Sequence, residues 1–181
     1  MVLAPLFFIC FFIPEWLNSH YIATTIILWI LAVIIEISDI VDGWLARKSG
    51  KITDFGKLFD PFSDVVCRLT YFTCFIFAGI MPVWIFALVL FRELGIIYVR
   101  YFASERGIVL AARRGGKLKS LFYSISAFAG LLTLSAVRAS FLPHLYGHFR
   151  IAAFILFALA GTLALISLLD YLFHCRKLIL A

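Results

Sequence analysis

The sequence predicts an all-α integral membrane protein of six transmembrane helices, in one membrane-embedded domain over residues 1–181. Three observations carry this. The chain is 64% hydrophobic and 14% charged, whereas a soluble domain is about half apolar and about a quarter charged. Its mean hydropathy is +1.07. Stretches such as residues 21–35 are apolar all round, which disfavours the alternating strands of a β-barrel. The same composition excludes disordered and collagen-like chains.

Six apolar segments follow in order, at residues 2–16, 21–47, 57–79, 82–103, 117–137 and 149–173. About 20 such residues cross a hydrocarbon core of about 30 Å. The first segment is short for a span. It has neither the basic start nor the small-residue cleavage site of a signal peptide. The short link at residues 15–20 fits a helical hairpin, so the segment reads as a helix. The link between the second and third segments is also short and predicts antiparallel neighbours.

Basic residues set the orientation. Arg47, Lys48, Lys51 and Lys57 follow the second segment. Arg106, Arg113, Arg114, Lys117 and Lys119 follow the fourth, and Arg176 and Lys177 the last. Only Arg138 and Arg150 lie on the other side, near its last loop. This bias places both termini in the cytoplasm. The net charge of +6 would suggest nucleic acid in a soluble chain. Here the cations face anionic membrane lipid, and no nucleic-acid partner is expected. Cys10, Cys67, Cys74 and Cys175 lie in or beside apolar runs without a C-x-x-C spacing. They read as small buried hydrophobes.

Several charges fall inside or at the ends of apolar segments: Glu36, Asp39, Asp42, Asp60, Asp64, Arg68, Arg92, Glu93, Arg100 and Asp170. Ionisable residues in such places mark functional sites by default. Asp39 and Asp42 are i, i+3, and Asp60 and Asp64 are i, i+4, so each pair shares a helix face. Four carboxylates at one membrane depth repel one another, and a hard divalent cation, Mg²⁺ or Mn²⁺, relieves that. The alternative is a salt-bridge network with Arg47, Arg68 and Lys57. Gly43, Ala46 and Gly56 keep bulk off the same faces, for a ligand or for close helix packing. Arg47 fits a phosphate grip or an interfacial anchor.

The run Asp39-x-x-Asp42-Gly43-x-x-Ala46-Arg47, eight residues, then Gly56-x-x-x-Asp60-x-x-x-Asp64 resembles the signature of the CDP-alcohol phosphotransferase family. The resemblance implies that an alcohol displaces CMP from a CDP-linked substrate. It implies that Asp39, Asp42 and Asp60 bind metal and that Asp64 is the general base beside the metals. It places Gly43, Ala46, Arg47 and Gly56 at the CDP site. The chemistry is consistent, since the leaving CMP needs cationic charge and the attacking hydroxyl needs a proton acceptor.

The stretch Arg92-Glu93-Leu94-Gly95-Ile96-Ile97-Tyr98-Val99-Arg100, then Gly116-Lys117-Leu118-Lys119-Ser120, is similar to the phosphatidylglycerophosphate synthase branch. So is Leu58-Phe59-Asp60-Pro61. That implies CDP-diacylglycerol and sn-glycerol 3-phosphate as substrates, a bacterial cytoplasmic membrane and a homodimer. Arg92 and Arg100 lie two turns apart, offset by about 80° around the helix. With Lys117 and Lys119 they suit an acceptor phosphate. The alternative pairs Arg92 with Glu93 or Asp64 and leaves the lysines as interfacial snorkelers. Measured against the family, the N-terminal region is expected to be truncated, because a Pro-Asn-x-x-Thr-x-x-Arg-like stretch is lacking before Met1. Phosphatidylinositol phosphate synthase, CDP-type cardiolipin synthase and phosphatidylserine synthase are the other branches considered. From other classes come a divalent-cation transporter and a non-catalytic binding relic.

Overall fold

The computed structural model describes residues 3–17, 21–49, 54–105 and 114–179. Side chains are described within these ranges except at 16–17, 39–40, 42–49, 54–61, 104, 114–118 and 174–179. The helices are α1 (Leu3–Leu17), α2 (Tyr21–Ser49), α3 (Asp54–Phe77), α4 (Val83–Glu105), α5 (Arg114–Arg138) and α6 (Tyr146–Ile179). A short 3-10 turn, Pro143–Leu145, precedes α6, and no strand occurs among the described residues. Helices suit these apolar runs because lipid offers the backbone no partners, so each N–H and C=O must be satisfied within its segment.

Among the described residues three stretches are long and apolar enough to cross a membrane: Tyr21–Ser38, Lys119–Arg138 and Pro143–Phe173. Leu3–Glu15 is a shorter apolar helix. Six α-helices are thus present, and three of them carry the length and apolarity of a span among the described residues. Of the others, α1 is short, and α3 and α4 carry charges, Asp64 and Arg68 on α3 and Arg92, Glu93 and Arg100 on α4.

The core is largely aromatic. Phe7, Phe11, Phe72, Phe75 and Phe157 are fully buried, with Leu28, Ile85 and Leu131 among them. Phe72 meets Tyr123 and Phe157 edge-on, at 5.7 and 5.6 Å between ring centroids. Such pairs add to the area they bury. Along their described lengths α2 packs on α1 and α5, and α3 on α1, α4 and α5. From α1, Phe7 meets Tyr71 of α3 at 4.5 Å and Phe11 meets Phe77 at 6.2 Å. The facing ends of α2 and α3, on which the expected antiparallel pairing bears, carry side chains outside those described.

Polar side chains are satisfied locally or used as ties. Ser126 and Thr133 donate to the carbonyls four residues earlier, at 2.6 and 2.9 Å. Trp29 Nε1 donates to Ser135 Oγ at 2.9 Å, joining α2 to α5. At the end of the bundle away from the motif, Arg138 donates to the Phe11 carbonyl at 3.0 Å and to Glu15 at 3.2 Å. The α3–α4 turn closes on Gly79, whose φ of +69° is left-handed. The Ile80 and Met81 amides then bond back to the Phe75 carbonyl at 2.9 and 3.1 Å. Cys10, Cys67 and Cys74 are buried free thiols, as expected; the side chain of Cys175 lies outside those described.

One glycine is set by packing. A Cβ at Gly130 would lie 2.9 Å from the Phe75 ring, and Phe75 has no free surface into which to move. Gly130→Ala is expected to destabilise by about 1–3 kcal/mol through overpacking. A detergent melting curve checks it. Gly147→Ala, with nothing within 4 Å of the added atom, is the control.

Candidate active site

The motif straddles the end of α2 and the start of α3. The side chains of Asp39, Asp42, Gly43, Ala46 and Arg47 on α2, Gly56 and Asp60 on α3, and Lys117 on α5 lie outside those described. Among the described residues no group of three or more metal-ligating side chains occurs. Asp64, the last motif position, is described. It sits in the N-terminal half of α3 with its side chain 36% exposed, open enough for a soluble substrate to approach.

Beside Asp64 the helices bring together a polar cluster inside the bundle. Arg68 follows one turn later on α3 and places Nη2 4.0 Å from Asp64 Oδ2. The same nitrogen donates to Ser120 Oγ on α5 at 2.6 Å. Lys119 is buried and donates to Glu93 Oε1 on α4. Arg92 Nη1 donates to Glu93 Oε2 at 2.8 Å, and Arg92 Nη2 to Ser167 Oγ on α6 at 3.1 Å. The Tyr123 ring lies between the cations, 4.9 Å from Lys119 Nζ and 5.7 Å from Arg68 Cζ. Glu93 is only 3% exposed. A carboxylate so deep is tolerated because cations and hydrogen bonds occupy both its oxygens.

Of the four cations expected around an acceptor phosphate, two are thus seen already paired, Arg92 and Lys119. The Arg92–Glu93 pair is the alternative that the sequence leaves open, and it is what the geometry holds. Two cations on one carboxylate still leave an excess of positive charge. Arg100 Nε is buried with no hydrogen-bond partner among the described residues, as is Arg92 Nε. A buried donor without a partner is costly, and an anionic ligand would relieve that cost.

Sequence reasoning gives no task to Ser167 or Tyr123, names Ser120 only within the Gly116–Ser120 element, and gives Arg68 only a place in the alternative salt-bridge network. Arg68 carries a local signal, its i, i+4 spacing from Asp64. Ser167 carries none, being 75 residues from Arg92. Glu36, also unassigned from the sequence, accepts from Ser124 Oγ at 2.8 Å. It ties α2 to α5.

Comparison with known proteins follows the same lines. The profile described as CDP-alcohol phosphatidyltransferase matches residues 1–167. A protein of Treponema pallidum named CDP-diacylglycerol–glycerol-3-phosphate 3-phosphatidyltransferase is 34% identical, over 92% of this chain and 80% of its own. One of Aquifex aeolicus with the same name is 30% identical over 99% of this chain and 92% of its own. One of Bacillus subtilis, again so named, is 32% identical over 57% of this chain and 53% of its own. No solved structure gives a significant match.

Proposed function

The chain belongs to the CDP-alcohol phosphatidyltransferase family, and on that premise we propose that it makes phosphatidylglycerophosphate. It transfers the phosphatidyl group of CDP-diacylglycerol to sn-glycerol 3-phosphate and releases CMP. The observation that carries this reading is the agreement of relatives named for that activity, aligned with 92% and 99% of the chain.

In this reading Asp39, Asp42, Asp60 and Asp64 hold Mg²⁺ or Mn²⁺. An all-carboxylate donor set fits a hard cation. When bound, the metal supplies positive charge to the diphosphate. Gly43, Ala46 and Gly56 leave room for the CDP moiety, and Arg47 pairs with it. Asp64 accepts the proton of the acceptor hydroxyl as that oxygen attacks the phosphorus bearing the diacylglycerol. The bond from that phosphorus to the CMP oxygen breaks. Arg92, Arg100, Lys117 and Lys119 draw the acceptor's phosphate, with Glu93 holding two of them in place. We place the protein in a bacterial cytoplasmic membrane as a six-span homodimer, with the site and both termini on the cytoplasmic side. The single domain covers residues 1–181. A divalent-cation transporter is disfavoured because a pathway needs polar residues through the bilayer, whereas the charges cluster toward the motif end and Phe72, Phe75, Leu131 and Phe157 form an apolar core.

A direct test is CMP release from CDP-diacylglycerol in mixed micelles with Mg²⁺ and competing labelled acceptors. Glycerol 3-phosphate is expected to outcompete inositol 1-phosphate, serine and glycerol. Efficient use of serine would move the chain to another branch of the family.

A further inference from the structure

Arg68 lies outside the motif, yet it is the cation nearest to Asp64 among the described residues. Its side chain is 14% exposed. Taking a guanidinium into an apolar interior costs several kcal/mol unless partners hold it. Its partners are specific. Ser120 Oγ accepts from Nη2 at 2.6 Å, and the Tyr123 ring lies 5.7 Å from Cζ. The 4.0 Å to Asp64 Oδ2 is an ion pair, too long for a hydrogen bond. A guanidinium has five N–H donors in a planar fork, and the contact with Ser120 uses one of them.

The charges around it point the same way. Glu93 already accepts from both Arg92 and Lys119. Arg68 instead gives its hydrogen bond to a neutral hydroxyl. Of the three cations in this cluster it is therefore the one whose charge Glu93 does not quench directly. Arg68 is also held in place by α5, one residue from Lys119.

Resting on the reading of Asp64 as the base, we infer that Arg68 binds the phosphate of the acceptor and makes the site select phosphorylated alcohols. In glycerol 3-phosphate three carbons and one ester oxygen separate the attacking hydroxyl from the phosphorus. A carboxylate and a guanidinium 4.0 Å apart, each reaching outward by one hydrogen bond, match that span. The fork of an arginine can take two phosphate oxygens at once. Bound this way, the acceptor presents its hydroxyl to Asp64.

The test uses the full chain in mixed micelles with CDP-diacylglycerol and Mg²⁺, comparing glycerol 3-phosphate with glycerol at high concentration. Arg68→Gln is expected to raise the KM for glycerol 3-phosphate roughly ten- to hundredfold, the size of one charge-assisted contact. The KM for CDP-diacylglycerol should change far less, and the loss of turnover with glycerol should be much smaller than the loss of kcat/KM with glycerol 3-phosphate. Arg68→Lys should recover part of the loss. Ser120→Ala keeps the charge and removes its anchor, so it should raise the same KM by a smaller factor. It also serves if Arg68→Gln does not fold. An unchanged KM for glycerol 3-phosphate, with kcat falling equally for both acceptors, would overturn the inference and leave Arg68 as a positioning residue for Asp64. If the wild type uses inositol 1-phosphate instead, the acceptor assignment falls and the Arg68 variants are read with that substrate. A wild type that prefers serine overturns both.

Discussion

Asp60→Asn is expected to abolish CMP release while the protein still folds and inserts, and Asp39→Asn should do the same. An amide keeps the shape of the carboxylate and loses its charge. The diphosphate of CDP-diacylglycerol carries negative charge that grows on CMP as it leaves. Cationic stabilisation there is the largest contribution that such a site makes. Losing one ligand of a shared metal site therefore costs the whole set. Exhaustive chelation should silence the wild type, and Mg²⁺ or Mn²⁺ should restore it. Near-normal turnover after chelation would remove the metal from the account. Asp64→Asn separates binding from chemistry, because Asp64 lies at the edge of the metal set and is mainly the base. It should lose some affinity for CDP-diacylglycerol but keep metal-dependent binding, and lose roughly 10²–10⁴ in rate, the range of one general base. Retained CMP release in this variant would assign the proton acceptor elsewhere.

The helices were legible because a lipid-facing run writes itself in composition. The segment read at 57–79 is the helix Asp54–Phe77, and the one read at 82–103 is Val83–Glu105. Gly79 and Pro82 mark that turn in the sequence and form it in space. The last helix was read as ending at 173 and runs to Ile179. Hydropathy falls at Arg176 and Lys177, whereas a backbone ladder needs only a continuous chain and can outlast the apolar run. The polar cluster was legible only in part. Arg92 and Glu93 are neighbours in sequence, so their pairing was within reach of the residues alone. The reach of Lys119 across to Glu93, 26 residues away, is decided by how α4 and α5 pack. Glu36 illustrates the same limit, since Ser124 is 88 residues distant. Neither tie has a spacing that could announce it.

Glu93→Gln is expected to destabilise the protein by about 3–5 kcal/mol, the usual cost of removing one partner from a buried ion pair. Glu93 is 3% exposed, and Arg92 and Lys119 beside it are 6% and 5% exposed. Water reaches none of the three well enough to replace a lost partner. Glutamine keeps a carbonyl for one donor but turns an amide N–H₂ toward the other cation. It also leaves two positive charges facing each other without their shared anion. The detergent melting midpoint should fall clearly, and the yield of folded protein with it. The double variant Glu93→Gln with Lys119→Gln should recover part of the stability, because one buried charge leaves with its partner. That recovery separates the electrostatic cause from a simple loss of packing, in which the two changes would add. A melting midpoint for Glu93→Gln equal to wild type would mean that the carboxylate is not holding these cations. Arg92 and Lys119 would then need another anion, and the bound acceptor's phosphate would be the first place to look.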